Sequence, residues 1–157
     1  MTMTKEWKTV DKSAWGPGPW QDEPDKKQWT DQETGLPCLI KRNRAGALCG
    51  YVGVPEGHPW HGQDYTEPEP YPEVHGGLTY AAPCTEGGDE ASTICHIPEP
   101  GEPDNVWWLG FDCAHSGDLC PSYERRWFQD TYKAMAYVEN ECATLAEQAI
   151  NAATGAK

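Results

Sequence analysis

The stretch VWWLGFDC, residues 106–113, is the most hydrophobic run in the chain. Its apolar residues do not alternate with polar ones, so we expect a strand that is buried on both faces. This run is therefore the best candidate for a central strand of a β-sheet.

Upstream of this run, three β-compatible segments lie at 25–30, 36–42 and 47–54, and short turns separate them. Gly35 and Gly46 supply the positive φ that such turns use. Two short turns between such segments predict a three-stranded antiparallel meander.

Two further strands are predicted at 74–82 and 92–97. Between the meander and the first of them, residues 55–72 are rich in Pro, Gly, His and acidic residues, which predicts a long surface loop.

Near the C-terminus, apolar residues recur at helical spacing over 131–153. Asp130 can cap the start of this helix and Gly155 its end, so we expect the helical element to span 130–154.

The length of 157 residues fits a single domain, 1–157. Within it, residues 1–24, of which 13–24 are dense in turn residues, should wrap the domain, anchored by Trp15 and Trp20, with the sheet and loops at 25–121 and the helix at 130–154. The fold class is α+β: a mostly antiparallel, twisted sheet of about five to six strands with one long C-terminal helix packed on one face.

Charge is distributed unevenly along the chain. The net charge is −13, yet residues 45–124 contain no Lys or Arg, 14 acidic residues and all five histidines. Binding to a nucleic-acid backbone requires Lys and Arg to displace counterions, so we expect no direct nucleic-acid binding. A metal cation or a basic protein suits this segment better, although acidic side chains also serve solubility alone.

Cysteine usage and hydropathy bear on the compartment. The seven cysteines are odd in number and contain no CxxC pair, which favours free thiols in a reducing compartment; disulfides and a cysteine-rich zinc site are the alternatives. The sequence has neither a long apolar span nor an apolar segment behind its N-terminal charges. We therefore expect no membrane partner and a cytoplasmic location, while the oligomeric state stays undetermined.

The strongest candidate for chemistry is the segment GFDCAHSGD, which places Asp112, His115 and Asp118 at successive spacings of three. In a continuous strand His115 would point away from both aspartates. Ser116 and Gly117 predict that the strand ends near residue 113, so the three side chains can converge in a loop.

The second histidine is expected to be His75, in the motif VHGGLTY, where two glycines allow a close approach. Two imidazoles with carboxylates favour zinc, manganese or iron, and the expected metal ligands are His75, His115 and Asp118. Glu141, on the helix, is a further candidate. Without a metal, the same set predicts a His general base oriented by Asp112 or Asp118.

A purely structural interpretation stands beside this one. An Asp near a His in a turn often does no more than accept backbone hydrogen bonds, and His-Gly-Gly fits a β-bulge. The adjacent pair Cys95 and His96 would face opposite sides of the strand predicted at 92–97, which argues against a Cys/His dyad within it.

The motifs GALCGYVGVPEGHPWHG, VHGGLTY, CHIPEPGEPDNVWWLGFDCAHSGDLCP and YKAMAYVENECATLAEQ together resemble a group of small proteins encoded by tailed bacteriophages and prophages. This resemblance extends over nearly the whole chain. It implies expression in the cytoplasm of an infected bacterium, and it implies no particular activity or catalytic residues.

Two functional hypotheses follow. The first is a small hydrolase-like or metal-dependent enzyme that uses His75, Asp112, His115 and Asp118, with Glu141 as a possible addition. The second is a non-enzymatic protein whose acidic face binds a basic host protein, such as one involved in defence or nucleic-acid handling.

Overall fold

The computed structural model describes residues 4–85, 89–96, 105–123 and 129–155. Within these ranges the chain forms a six-stranded antiparallel sheet and one α-helix, α1, which packs against it. The α+β prediction is thereby confirmed. In chain order the elements are β1 (Lys5–Trp7), β2 (Lys26–Thr30), β3 (Pro37–Arg42), β4 (Leu48–Val54), β5 (Tyr80–Pro83), β6 (Trp107–Asp112) and α1 (Met135–Thr154).

The strands lie in the order β1-β2-β3-β4-β6-β5. The predicted meander is confirmed as β2-β3-β4, in which Ile40 lies opposite Gly50. The hydrophobic run at 106–113 forms β6, an interior strand between β4 and β5. Trp108 and Leu109, which point to opposite faces of it, are both fully buried.

Each face of the sheet has its own core. On one face, the apolar stripe of α1, including Val138 and Leu145, packs on side chains such as Ile40 of β3 and Phe111 of β6. On the other face, a smaller cluster surrounds Trp108. Burial on both faces explains why the sequence of β6 lacks alternation.

The N-terminal segment, residues 1–24, contributes a strand to the sheet. Trp20 is buried, as expected of an anchor, but β1 pairs with β2 at the edge of the sheet and was not predicted. Its three residues are too few to show an alternating pattern.

The start of the helix also differs from the prediction. The helix α1 begins at Met135, and Asp130 does not cap it. Instead the carboxylate of Glu23, from the N-terminal segment, accepts a hydrogen bond from the Met135 amide at 2.8 Å. Gly155 ends the helix in the left-handed conformation, as predicted.

The two strands predicted between β4 and β6 are largely wrong. Of the first, only residues 80–82 are in a strand, β5, because residues 74–77 form a turn closed by the Gly77 amide and the Val74 carbonyl. Residues 92–96 are a turn, a bend and irregular chain rather than a strand, and residue 97 lies outside the described ranges.

The expectation of seven free thiols is also wrong. Cys84 and Cys95 form a disulfide across a Cα–Cα distance of 4.7 Å. The chain after β5 and the 89–96 segment run side by side here, held by a 3.1 Å hydrogen bond from the Thr85 amide to the Ile94 carbonyl. In the described part of the chain the other five cysteines are buried free thiols.

Among the described residues, no helix has the length and apolar composition required to cross a membrane.

Candidate functional site

The candidate site lies where β6 ends. The strand stops at Asp112, and a turn closed by the Asp118 amide and the His115 carbonyl follows. This ending removes the alternation that would have separated His115 from the aspartates. The turn at 74–77, which precedes β5, brings His75 to the same place.

His75 is held on three sides. Its Nε2 lies 2.8 Å from Asp118 Oδ2 and its Nδ1 lies 2.9 Å from the Tyr137 hydroxyl. Its backbone amide donates to Glu141 Oε1 at 2.8 Å. Tyr137 and Asp118 therefore fix the orientation of the imidazole, and Glu141 holds the main chain at His75.

His115 completes the cluster from the other side. Its Nδ1 lies 3.2 Å from Asp112 Oδ1 and 3.9 Å from Asp118 Oδ2. That nitrogen is buried, and neither contact has hydrogen-bond geometry, so Nδ1 has no hydrogen-bond partner among the described residues. Asp112 also accepts a hydrogen bond from the Thr79 hydroxyl at 3.1 Å.

Asp118 is the charged centre of the cluster, and its side chain is 2% exposed. Burial raises the pKa of this carboxyl, but hydrogen bonds from His75 and the His115 amide, together with Lys133 at 3.2 Å, lower it below the ordinary value on balance. Asp118 is therefore a carboxylate at neutral pH and is able to bind a cation.

Gly76 allows the two histidines to approach each other. A Cβ at this position would lie 2.5 Å from the imidazole of His115. The ring centroids of His75 and His115 are 6.2 Å apart, in an edge-to-face arrangement. The expectation that a glycine beside His75 permits close packing is thus met at Gly76.

The structure brings together all five residues predicted from the sequence, in two roles. One ring nitrogen of each of His75 and His115 and one Asp118 oxygen lie within 4.8 Å of one another. Asp112 and Glu141 do not belong to that group; they contact His115 and the His75 backbone respectively.

Two residues of the cluster were missed in the sequence. Tyr137 and Lys133 precede Glu141 by four and eight residues, a spacing that places side chains on one side of a helix. That spacing was the available signal for Tyr137. Lys133 lies before α1 begins, so helical periodicity alone does not determine its position.

Without a metal, the cluster is a chain of hydrogen bonds. When Nε2 of His75 carries the proton, it donates to Asp118 and leaves Nδ1 to accept from the Tyr137 hydroxyl. An imidazole oriented in this way by a carboxylate is suited to general-base chemistry.

A comparison of the chain with protein-family models, curated proteins and solved structures finds no match to any of the three.

Proposed function

We propose that the protein is a hydrolase-like, metal-dependent enzyme whose divalent ion is bound by His75, His115 and Asp118. The observation that carries this proposal is the convergence of their ligand atoms within 4.8 Å. The buried Nδ1 of His115, which lacks a hydrogen bond among the described residues, supports it. A bound cation would satisfy that nitrogen and would also offset the charge of Asp118.

The distances agree with a metal site that needs only small shifts. Ligands about 2.0–2.2 Å from zinc are separated from one another by about 3–3.5 Å. The 2.8 Å contact between His75 and Asp118 would have to open slightly, and the 3.9 Å contact between His115 and Asp118 would have to close slightly.

The surroundings also suit the tautomer that a metal requires. A metal on Nε2 of His75 leaves Nδ1 protonated. This N–H can then donate a hydrogen bond to the Tyr137 hydroxyl oxygen, 2.9 Å away. Metal-bound histidines usually donate their second N–H to such a partner. Burial, and to a smaller extent the nearby Glu141 carboxylate, raises the pKa of the Tyr137 hydroxyl. Tyr137 therefore stays neutral.

Three protein ligands leave a coordination position for water, as in hydrolytic zinc sites. The ion would act as a Lewis acid and lower the pKa of that water to about 7. With the divalent ion bound, the ion and Lys133 would together balance the carboxylates of Asp112, Asp118 and Glu141, so the site would carry little net charge. We therefore propose an uncharged ester or amide as the substrate.

Calorimetric titration of the disulfide-bonded protein with zinc, manganese(II) and iron(II) tests the metal site. We expect one ion per chain for the preferred metal and affinity at least about tenfold weaker in His115→Ala. The matched control is His61→Ala, which removes a histidine that packs against Trp107 and should leave the affinity unchanged. Equal affinity in the wild type and His115→Ala would exclude the site.

Hydrolysis is tested separately with chromogenic esters and anilides. We expect turnover that requires the metal, stops on chelation and is lost in Asp118→Asn. A protein that binds metal as described but hydrolyses none of these substrates would retain the metal site and refute the hydrolase assignment for these bond types.

A second candidate function is binding of a basic protein through the 55–73 loop. Its acidic residues are exposed and have no Lys or Arg between them: Glu56, Asp64, Glu67, Glu69 and Glu73. Capture of partners from bacterial lysate at low and high salt tests this function. Salt-sensitive capture that is lost when these acids are neutralised supports it, and capture unaffected by either change contradicts it.

We further propose that the protein works in a bacterial cytoplasm, as its resemblance to phage proteins implies. The buried free thiols of the described cysteines fit a reducing compartment. In such a compartment the pair Cys84 and Cys95 would be a dithiol.

A further inference from the structure

A second group of metal-ligating side chains lies on the opposite face of the sheet from α1. Cys84 follows the edge strand β5, and Cys95 and His96 belong to the 89–96 segment. The two sulfur atoms and one ring nitrogen of His96 lie within 4.8 Å of one another. Because residues 92–96 are not a strand, Cys95 and His96 reach the same point, contrary to the prediction that they face opposite sides of a strand.

We propose that the dithiol form of this group binds zinc through Cys84, Cys95 and His96, and that the disulfide and the zinc-bound dithiol are alternative states. Thiolate sulfur and imidazole nitrogen are the ligands that zinc prefers, and three protein ligands leave one position for water or another donor. This site is independent of His75, His115 and Asp118.

The positions of the cysteines select this pair. Cys84 and Cys95 are partly exposed, whereas the other five are buried. Burial raises the pKa of Cys49 to about 11, and it also raises the pKa values of the thiols of Cys38, Cys113, Cys120 and Cys142. Because only a thiolate binds zinc, these five are poor ligands.

Neighbouring side chains hold Cys84 and Cys95 in position. The indole Nε1 of Trp108 donates to Cys84 Sγ at 3.2 Å, and the same indole packs edge-on against His96. Hydrogen bonds of this kind from the surroundings orient and tune metal ligands. The ammonium of Lys26 donates to the Cys95 carbonyl at 2.9 Å and so holds the main chain at the second cysteine.

The disulfide and the zinc-bound dithiol would both hold the 89–96 segment against the smaller hydrophobic cluster around Trp108. Ile94 and Cys84 pack on the cluster around Trp108, and the disulfide joins the two segments covalently. Zinc would make the same connection in the reduced protein, where the covalent link is absent.

Conversion of the zinc-bound dithiol to the disulfide requires a disulfide oxidant, which we take to be a low-molecular-weight disulfide, and the reverse reaction uses the corresponding low-molecular-weight thiol as the reductant. One protein thiolate attacks it, forms a mixed disulfide and releases one thiolate. The second protein thiolate then attacks the mixed disulfide, so that the Cys84–Cys95 bond forms and the second thiolate leaves. Two electrons pass from the protein sulfurs to the oxidant, and zinc is released because its thiolate ligands no longer exist.

Cobalt(II) titration of the reduced and the disulfide-bonded protein tests this site, because thiolate ligation gives an intense sulfur-to-cobalt charge-transfer band. We expect one ion with this band in the reduced protein, none in the oxidised protein, and displacement of cobalt by zinc. This comparison requires no substitution, so a variant that misfolds does not affect it. Absence of the band from the reduced wild-type protein would overturn the assignment.

Variants then identify the ligands. Cys84→Ser should abolish the band, and His96→Ala should weaken cobalt binding by at least about tenfold. His61→Ala should leave both unchanged, because His61 packs against Trp107 and belongs to neither proposed metal site. A band that survives in Cys84→Ser, or unchanged affinity in His96→Ala, would contradict the three-ligand site.

Discussion

Gly76→Ala and Gly77→Ala form a matched pair that tests whether the convergence of the two histidines matters. Both glycines have positive φ, +69° at Gly76 and +78° at Gly77. A non-glycine residue in this conformation costs about 1–2 kcal/mol. Both substitutions should therefore reduce the free energy of unfolding by a similar amount, and the melting temperature by a few degrees.

The two positions differ in what the new methyl group meets. At Gly77 a Cβ has nothing within 4 Å, whereas at Gly76 it lies 2.5 Å from the His115 ring. Ordinary contact begins near 3.4 Å, so the imidazole must move by about 1 Å. A shift of that size removes His115 from the distance at which His75 and Asp118 share an ion.

The assay is metal titration beside urea unfolding of both variants. Metal affinity should fall by at least about tenfold in Gly76→Ala and by less than about twofold in Gly77→Ala, at similar losses of stability. Equal metal affinities in the two variants would refute the claim that His115 binds the ion from its present position.

Three further predictions concern the fold. Asp25→Asn should destabilise the protein by about 3–5 kcal/mol, because the buried ammonium of Lys12 and the buried guanidinium of Arg42, each 2.8 Å away, lose the carboxylate that they share. Arg42 keeps its 3.3 Å contact with Glu23. Urea unfolding at neutral pH measures this loss, and a change under about 1 kcal/mol would contradict it. Burial lowers the pKa of His58 below the ordinary 6.5, so its neutral form stabilises the fold and this contribution should be lost as pH falls below 6.5. The free energy of unfolding, measured between neutral and mildly acidic pH, should therefore decline more steeply in the wild type than in His58→Gln. Parallel declines in the two proteins would refute this. Gly50→Ala should reduce the free energy of unfolding by about 1–3 kcal/mol, because the added Cβ would lie 2.4 Å from the ring of Phe111. An unchanged midpoint of urea unfolding would contradict this.

The interior of the sheet could be predicted from sequence because its signals are local. The runs that became β3, β4 and β6 are rich in apolar residues, the largely polar β2 is separated from β3 by a turn, and the stripe of α1 has helical spacing over many residues. Gly155 ends the helix as expected, since a left-handed residue at that place is a local requirement.

The errors occurred where distant parts of the chain determine local structure. The helix begins at Met135 because Glu23, 112 residues away in the sequence, accepts its amide hydrogen bond. Residues 92–96 are irregular rather than a strand, and the disulfide and Lys26, which no pattern within the segment indicates, hold them in place.

In the candidate site, too, the features set by local sequence could be predicted, and those set by contacts between distant segments could not. His115 and Asp118 could be grouped from their spacing and from the predicted end of the strand. The place of His75 was an expectation about packing, supported only by the glycine that follows it. The contact of Tyr137 with His75 depends on how α1 lies across the sheet, which the sequence does not specify.

The most direct test of the proposed metal centre is a crystal structure of the disulfide-bonded protein grown with one equivalent of zinc, with diffraction data collected on both sides of the zinc absorption edge. An anomalous peak within about 2.0–2.2 Å of His75, His115 and Asp118 is the result expected. A peak that excludes these residues, or direct hydrogen bonding of His75 to Asp118 with no peak between them, would contradict the central claim.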